Sequence, residues 1–136
     1  MERGIKMDNP NTFSKNIGII ITEKHDGYAR TELLIENFHL NPDGIVHGGV
    51  YATIADTAIG NAVHSTLNKG EIAHTIELNV HFLKACKEGK IIAEGKVERR
   101  GRKIIYAKGT MYSESKEIYA EADGLWYVVF PNSSGK

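Results

Sequence analysis

The sequence predicts an α+β domain in which one long antiparallel sheet packs on a single central helix. Three observations predict it. A proline-free run rich in Ala, Ile and Val, from residue 47 to about 67, reads as a helix. Two β-like segments precede it. After Asn68-Lys69-Gly70 the apolar period changes to alternation, and four more strands follow, joined by short turns. One helix cannot cover such a sheet on both faces, so self-association into a dimer is expected.

Residues 1–12 are polar, carry Asn9-Pro10-Asn11, and read as an N-terminal arm, loose or packed on a partner. The domain then spans 13–131, and 132–136 form a flexible tail. Ile17, Ile19, Ile20 and Ile21 predict a strand over 17–22, and Tyr28, Leu33, Leu34 and Ile35 a second over 28–36. His25-Asp26-Gly27 is the hairpin turn between them. Asn41-Pro42-Asp43-Gly44 forms the turn into the helix. Ile76, Leu78, Val80 and Phe82 alternate with Glu77, Asn79 and His81, the pattern of a strand with one buried face. Turns at 87–90, 99–103 and 113–116 lead into strands over 91–98, 104–112 and 118–130, where Pro131 ends the run.

The 136 residues make one domain with enough chain for a core. Lys plus Arg and Asp plus Glu number 17 each, so no overall field points to nucleic acid or an anionic membrane. Cys86 is the sole cysteine, which excludes an intrachain disulfide framework and fits a reducing cytoplasm. The first residues lack the apolar core of a signal peptide, and no apolar run approaches the roughly 20 residues of a membrane span. A soluble, cytoplasmic protein is expected. His25, His39, His64, His74 and His81 show no metal-ligand spacing with cysteine, so no metal is expected.

The helix carries the candidate chemistry. On a helical wheel Ala52, Ala55, Ile59, Ala62 and Val63 share an apolar arc, and Asp56 falls inside it. A carboxylate on a buried stripe costs several kcal/mol unless paired, which marks Asp56 as functional. Gly48 and Gly49 stand at the helix start, where N–H groups are free and the macrodipole is positive. Without Cβ atoms in the way, a carbonyl oxygen can approach those N–H groups, as in an oxyanion site. The competing reading is that the two glycines only let the helix pack tightly on the sheet. His47, where the loop enters the helix, is expected to anchor that loop rather than to shuttle protons. Attack on a polarised carbonyl needs a charge-stabilising donor and a nucleophile. The helix start supplies the first. Asp56 supplies the second, as general base on water or by direct attack. The sequence has no Gly-x-Ser-x-Gly elbow to offer a serine route.

Together these motifs resemble the hotdog-fold acyl-CoA thioesterases of the phenylacetic-acid-degradation type. The likeness rests on His47-Gly48-Gly49 with Asp56 nine residues after His47, on the preceding Asn41-Pro42-Asp43-Gly44-Ile45-Val46, and on the strand over 75–85. The Gly-flanked basic turn 99–103 adds to it, and the whole covers about 13–130. The resemblance implies a sheet wrapped around the helix, protomers paired edge to edge, and dimers that pair again into tetramers. It implies that Gly48 or Gly49 of one chain polarises the thioester carbonyl while Asp56 of the facing chain supplies the nucleophile. Asn41 would orient water or thioester, and Thr75 would lend a hydroxyl. Arg99, Arg100, Gly101, Arg102 and Lys103 would meet the nucleotide of coenzyme A, with Lys84 a weaker candidate. Coenzyme A is then part of the substrate, and no cofactor is expected. Tyr51, Ile54, Ile59 and Val63 are expected to line the acyl pocket. Two other readings belong to the same fold: a non-catalytic acyl-CoA-binding module, and a hydratase or dehydratase.

Overall fold

A computed structural model describes residues 11–130. In chain order these form α1 (Phe13–Ile17), β1 (Ile20–His25), β2 (Tyr28–Leu34), a 3-10 turn (Asn37–His39), α2 (Gly48–His64), β3 (Ile72–Phe82), β4 (Lys90–Arg100), β5 (Ile104–Tyr112) and β6 (Ile118–Val129). The six strands make one antiparallel sheet in the order β1-β2-β4-β5-β6-β3. α2 packs against β2, β3, β4 and β5. The predicted class holds: a long sheet curls over one central helix, the hotdog arrangement. Most of the arm, 1–10, and the tail, 132–136, lie outside the described residues.

The contact between helix and sheet depends on small residues. Gly95 of β4 pairs with Gly109 of β5 directly under α2. A Cβ on Gly95 would stand 2.6 Å from the Ala58 carbonyl oxygen, and one on Gly109 would stand 2.8 Å from Ile59 Cγ1. The helix backbone therefore rests on the sheet backbone, and Ile54, Ile59 and Val63 are fully enclosed in the core with Leu33, Ile91, Ile105 and Met111. Each such side chain contributes roughly 1.5–3 kcal/mol by burial. This corrects the expected acyl-pocket lining, because Ile54, Ile59 and Val63 face the sheet.

The hairpin turn is as read: Asp26 (φ 49°) and Gly27 (φ 81°) are both left-handed, as a two-residue type I′ loop requires. The first strand is not. Residues 13–17 form α1, ended by Gly18 at φ 103°, and β1 runs from Ile20 to His25. β2 stops at Leu34 because the chain turns into the 3-10 segment. There the buried His39 accepts from the Glu36 N–H at Nδ1 (2.8 Å) and donates from Nε2 to the Ile17 carbonyl (2.7 Å). α2 ends at His64 rather than near 67; the Ser65 and Thr66 hydroxyls donate back to the carbonyls of Ala62 and Val63.

β3 departs most from expectation. It does not lie beside β4 but crosses to the far edge, against β6. A bulge between Thr75 and Glu77 leaves Ile76 unpaired with β6, and Ile76 (55%) and Phe82 (58%) are exposed. Only Leu78 and Val80 of the alternating set pack against the core. The apolar face that the alternation announces is half uncovered within one chain.

Candidate functional site

The site begins at the first turn of α2. His47 is its N-cap, and its Nδ1 accepts from the Gly49 N–H at 2.8 Å. In the neutral ring the proton is then on Nε2. The ring thus anchors the loop, as expected, and it occupies the Gly49 donor. The Gly48 N–H has no hydrogen-bond partner among the described residues. The two glycines differ in a second way. A Cβ on Gly49 would meet His47 Nδ1 at 3.0 Å, whereas one on Gly48 would make only an ordinary contact, 3.5 Å to Phe82 Cε1. Gly49 is needed for the cap. Among the described residues no close contact demands glycine at 48.

Gly48 opens on a cavity of about 370 Å³ lined by Asn41, Tyr51, Phe82 and Lys84 among others. The Asn41 Oδ1 accepts from the N–H groups of Asp43 (2.9 Å) and Ile45 (3.3 Å), fixing the turn before the helix. That leaves its amide nitrogen, without a partner among the described residues, at the cavity. Lys84 pairs with Glu117 and sits at this cavity, well apart from the basic turn.

Asp56 lies two turns further along α2, about 12 Å up the axis at 1.5 Å per residue. It is not on the buried stripe. That stripe is centred on Ala55, Ala58 and Ala62, and Asp56 falls past its edge and is exposed. The wheel drawn from sequence placed the arc too far round because it left out Tyr51 and Ile54, whose burial shifts its centre. Asp56 lines a separate cavity of about 470 Å³ with Thr53, Thr57, Leu78 and Phe13. The Thr75 hydroxyl on β3 donates to Asp56 Oδ1 at 2.8 Å. So the structure unites Asp56 with Thr75, and Gly48 with Asn41, but keeps the two pairs in different cavities.

The basic turn also divides. Arg99, Gly101, Arg102 and Lys103 line a groove of about 500 Å³ with Tyr106 and Leu125. Gly101 makes the turn: a Cβ there would stand 2.4 Å from the Ile104 carbonyl oxygen. Arg100 points away. Its Nη2 meets Glu71 Oε1 at 2.6 Å, and the Glu71 side chain is only 6% exposed. Alternation along β4 and the bulge between Val97 and Arg99 set this direction. The reading of Arg100 as a nucleotide contact is corrected to a structural ion pair. Phe13 beside Asp56 escaped the sequence reading, because 13–17 carry no strong helix pattern. Among the described residues no group of three His, Cys, Asp or Glu is placed to hold a metal, and no helix is long and apolar enough to cross a membrane.

The chain is similar to known proteins in sequence and in fold. Residues 43–120 match the thioesterase superfamily. An Archaeoglobus fulgidus protein provisionally named an esterase is 33% identical over 118 residues, covering 84% of this chain and 75% of its own. A Bacillus halodurans protein solved with CoA is 32% identical, with a TM-score of 0.79, covering 85% of this chain and 77% of its own. A Haemophilus influenzae structure described as a thioesterase superposes with a TM-score of 0.86 over 93% of this chain and 88% of its own, at 20% identity.

Proposed function

The chain belongs to the thioesterase superfamily and is a thioester hydrolase, and from that premise we propose that it hydrolyses acyl-CoA to free acid and CoA at a site shared by two copies. The observation that supports this most is the unspent Gly48 N–H at the open start of α2. A thioester carbonyl accepting from it would be polarised by that donor and by the helix dipole, and the tetrahedral oxyanion stabilised further. Asn41 supplies a second donor at the same cavity.

Asp56 delivers the nucleophile, held by Thr75. As base it takes a proton from water, whose oxygen bonds to the carbonyl carbon; the tetrahedral intermediate then collapses with cleavage of the C–S bond, and the CoA thiolate leaves with the proton returned from Asp56. As nucleophile it forms a mixed anhydride with loss of CoA thiolate, and water then opens the anhydride at the Asp56 carboxyl carbon. A single turnover in ¹⁸O water separates the routes, since only the second leaves the first acid unlabelled. Because Gly48 and Asp56 open on different cavities, the two groups meet when a second copy brings its Asp56 to the first copy's Gly48. The exposed edge strand, with Ile72, Ile76 and Phe82, suits pairing of two β3 strands into one continuous sheet. A tetramer would then be a dimer of such dimers.

The groove of Arg99, Arg102 and Lys103 is offered for the nucleotide phosphates of CoA. The CoA in the Bacillus halodurans relative supports that substrate class. A Ralstonia eutropha structure, 25% identical with a TM-score of 0.78 and described as phenylacetic-acid-degradation-related, supports an aromatic acyl group as one to try first. The single free, buried Cys86 suits a reducing, cytoplasmic setting. The test is a hydrolysis screen over aromatic and aliphatic acyl-CoAs with a thiol-detecting reagent. Release of CoA from none of them would overturn the proposal.

A further inference from the structure

We propose that Phe13 determines specificity: the ring it presents from α1 forms the wall against which the acyl chain lies, so the site favours acyl chains long enough to reach that ring over short ones. This rests on the reading of Asp56 as the group that delivers the nucleophile to the thioester carbonyl.

Phe13 is 68% exposed. A phenyl ring left in water forfeits the gain of burial, and this one is set apart from the other exposed apolar side chains by its place. Among the described residues it is the exposed large hydrophobic that lines the cavity of Asp56. The backbone behind it is fixed. The Ile17 carbonyl accepts from Nε2 of the buried His39 at 2.7 Å, Gly18 ends α1 in the left-handed conformation, and Ile17 packs against the core. Phe13 stands four residues before Ile17, so it lies on the same face of α1, one turn further out. That face runs from the core to the gap between α1 and α2 where Asp56 is found.

The gap suits hydrocarbon. Phe13, Ala52 and Leu78 give it apolar surface. The Thr53 and Thr57 hydroxyls, which also line it, donate to the carbonyls of Gly49 (2.9 Å) and Thr53 (2.7 Å) and so hold no free proton for a ligand. Thr75 takes one oxygen of Asp56, and Oδ2 has no hydrogen-bond partner among the described residues. For Oδ2 to attack, it must approach the carbonyl carbon to about 3–3.5 Å, or stand one water further off as a base. The first acyl carbons are then at the mouth of this cavity, and a longer chain continues along the Phe13 ring. Ile54, Ile59 and Val63, expected from the sequence to line the acyl pocket, are enclosed in the core. The large apolar side chains beside the carboxylate are Phe13 and Leu78.

The test compares acetyl-, butyryl-, hexanoyl- and octanoyl-CoA on the wild-type enzyme, Phe13→Ala and Phe13→Leu. In the wild type kcat/KM should rise from acetyl to the chain that reaches the ring. Phe13→Ala should cut the ratio of that chain to acetyl by about tenfold, the scale of lost contact in an apolar pocket, and Phe13→Leu should keep most of it. Both variants should melt and sediment as the wild type does, since the ring is exposed within the chain. Calorimetry reads the same ratio as affinities of the non-hydrolysable ketones S-(2-oxopropyl)-CoA and S-(2-oxoheptyl)-CoA. Equal ratios in wild type and Phe13→Ala, by rate and by affinity, overturn the role of Phe13. A smaller sedimenting species for Phe13→Ala would also overturn it, by showing that a second copy covers the ring. A shifted affinity ratio with no hydrolysis of any thioester would overturn the hydrolase reading and leave Phe13 as the selector of a binding site.

Discussion

The hydroxyl of Thr75, on the outermost strand, donates to Oδ1 of Asp56, in the middle of the central helix, at 2.8 Å. One hydrogen bond thus ties the edge where a second copy can pair to the carboxylate that the second copy would use. Rotating Asp56 away requires breaking it, and shifting β3 moves it.

Asp56→Asn should abolish thioester hydrolysis. Because the side chain is exposed, the melting temperature should hold, with a change within about 0.5 kcal/mol. A rate above about a tenth of wild type, less than 1.4 kcal/mol of barrier, would remove Asp56 from the centre of the mechanism. Thr75→Val should lower kcat by roughly tenfold with KM little altered, the loss of one orienting hydrogen bond.

The two glycines should respond in opposite ways. Gly48→Ala fits beside Phe82 and should stabilise the fold slightly, by about 0.4–1 kcal/mol, while its methyl obstructs the N–H and cuts kcat at least tenfold. Gly49→Ala crowds the His47 ring at 3.0 Å and should cost about 1 kcal/mol, the usual worth of a cap. Thermal melts and steady-state rates on both variants check this. Equal losses of kcat with no difference in stability would show that the glycines are interchangeable.

A shared site makes a prediction about mixtures. Asp56→Asn chains alone should be inactive and Gly48→Ala chains at most a tenth as active as wild type, yet a heterodimer of them contains one intact site. Refolding them together at equal amounts should restore about a quarter of wild-type activity, from random pairing of two-fold dimers. No recovery in a mixture shown by mass to contain heterodimers would place both groups in the same chain's site. Sedimentation should show at least a dimer throughout.

The basic turn should act on the CoA end of the substrate alone. Neutralising Arg102 and Lys103 together should raise KM for acyl-CoA several-fold and leave kcat nearly unchanged, since exposed charge pairs are worth about 0.2–1 kcal/mol each. The effect should shrink with added salt and vanish with an acyl-pantetheine thioester. Arg100→Met should behave differently. It strands the enclosed Glu71 carboxylate, so it should destabilise by roughly 1–3 kcal/mol without changing KM. Equal kinetic losses on both substrates for the Arg102/Lys103 variant would make the turn structural.

The sequence by itself determined the class of the fold and most of its elements, because the signals involved are local. The change from helical period to alternation after Gly70, the Asp26-Gly27 turn and the glycine pair after His47 depend on backbone preferences and on neighbours a few residues away. Tertiary structure decided the rest. Whether Asp56 is buried depends on which side of α2 meets the sheet, and Gly95 and Gly109, from strands far along the chain, set that side by admitting Ile59. The direction of Arg100 depends on a bulge in β4 and on a carboxylate 29 residues away. The position of β3 at the edge, and with it the exposure of Ile76 and Phe82, depends on a crossover that alternation along one strand cannot encode. Long-range packing chooses among faces that local pattern leaves equivalent. That is why candidate residues could be picked out from the sequence, while their grouping into two separate cavities could not.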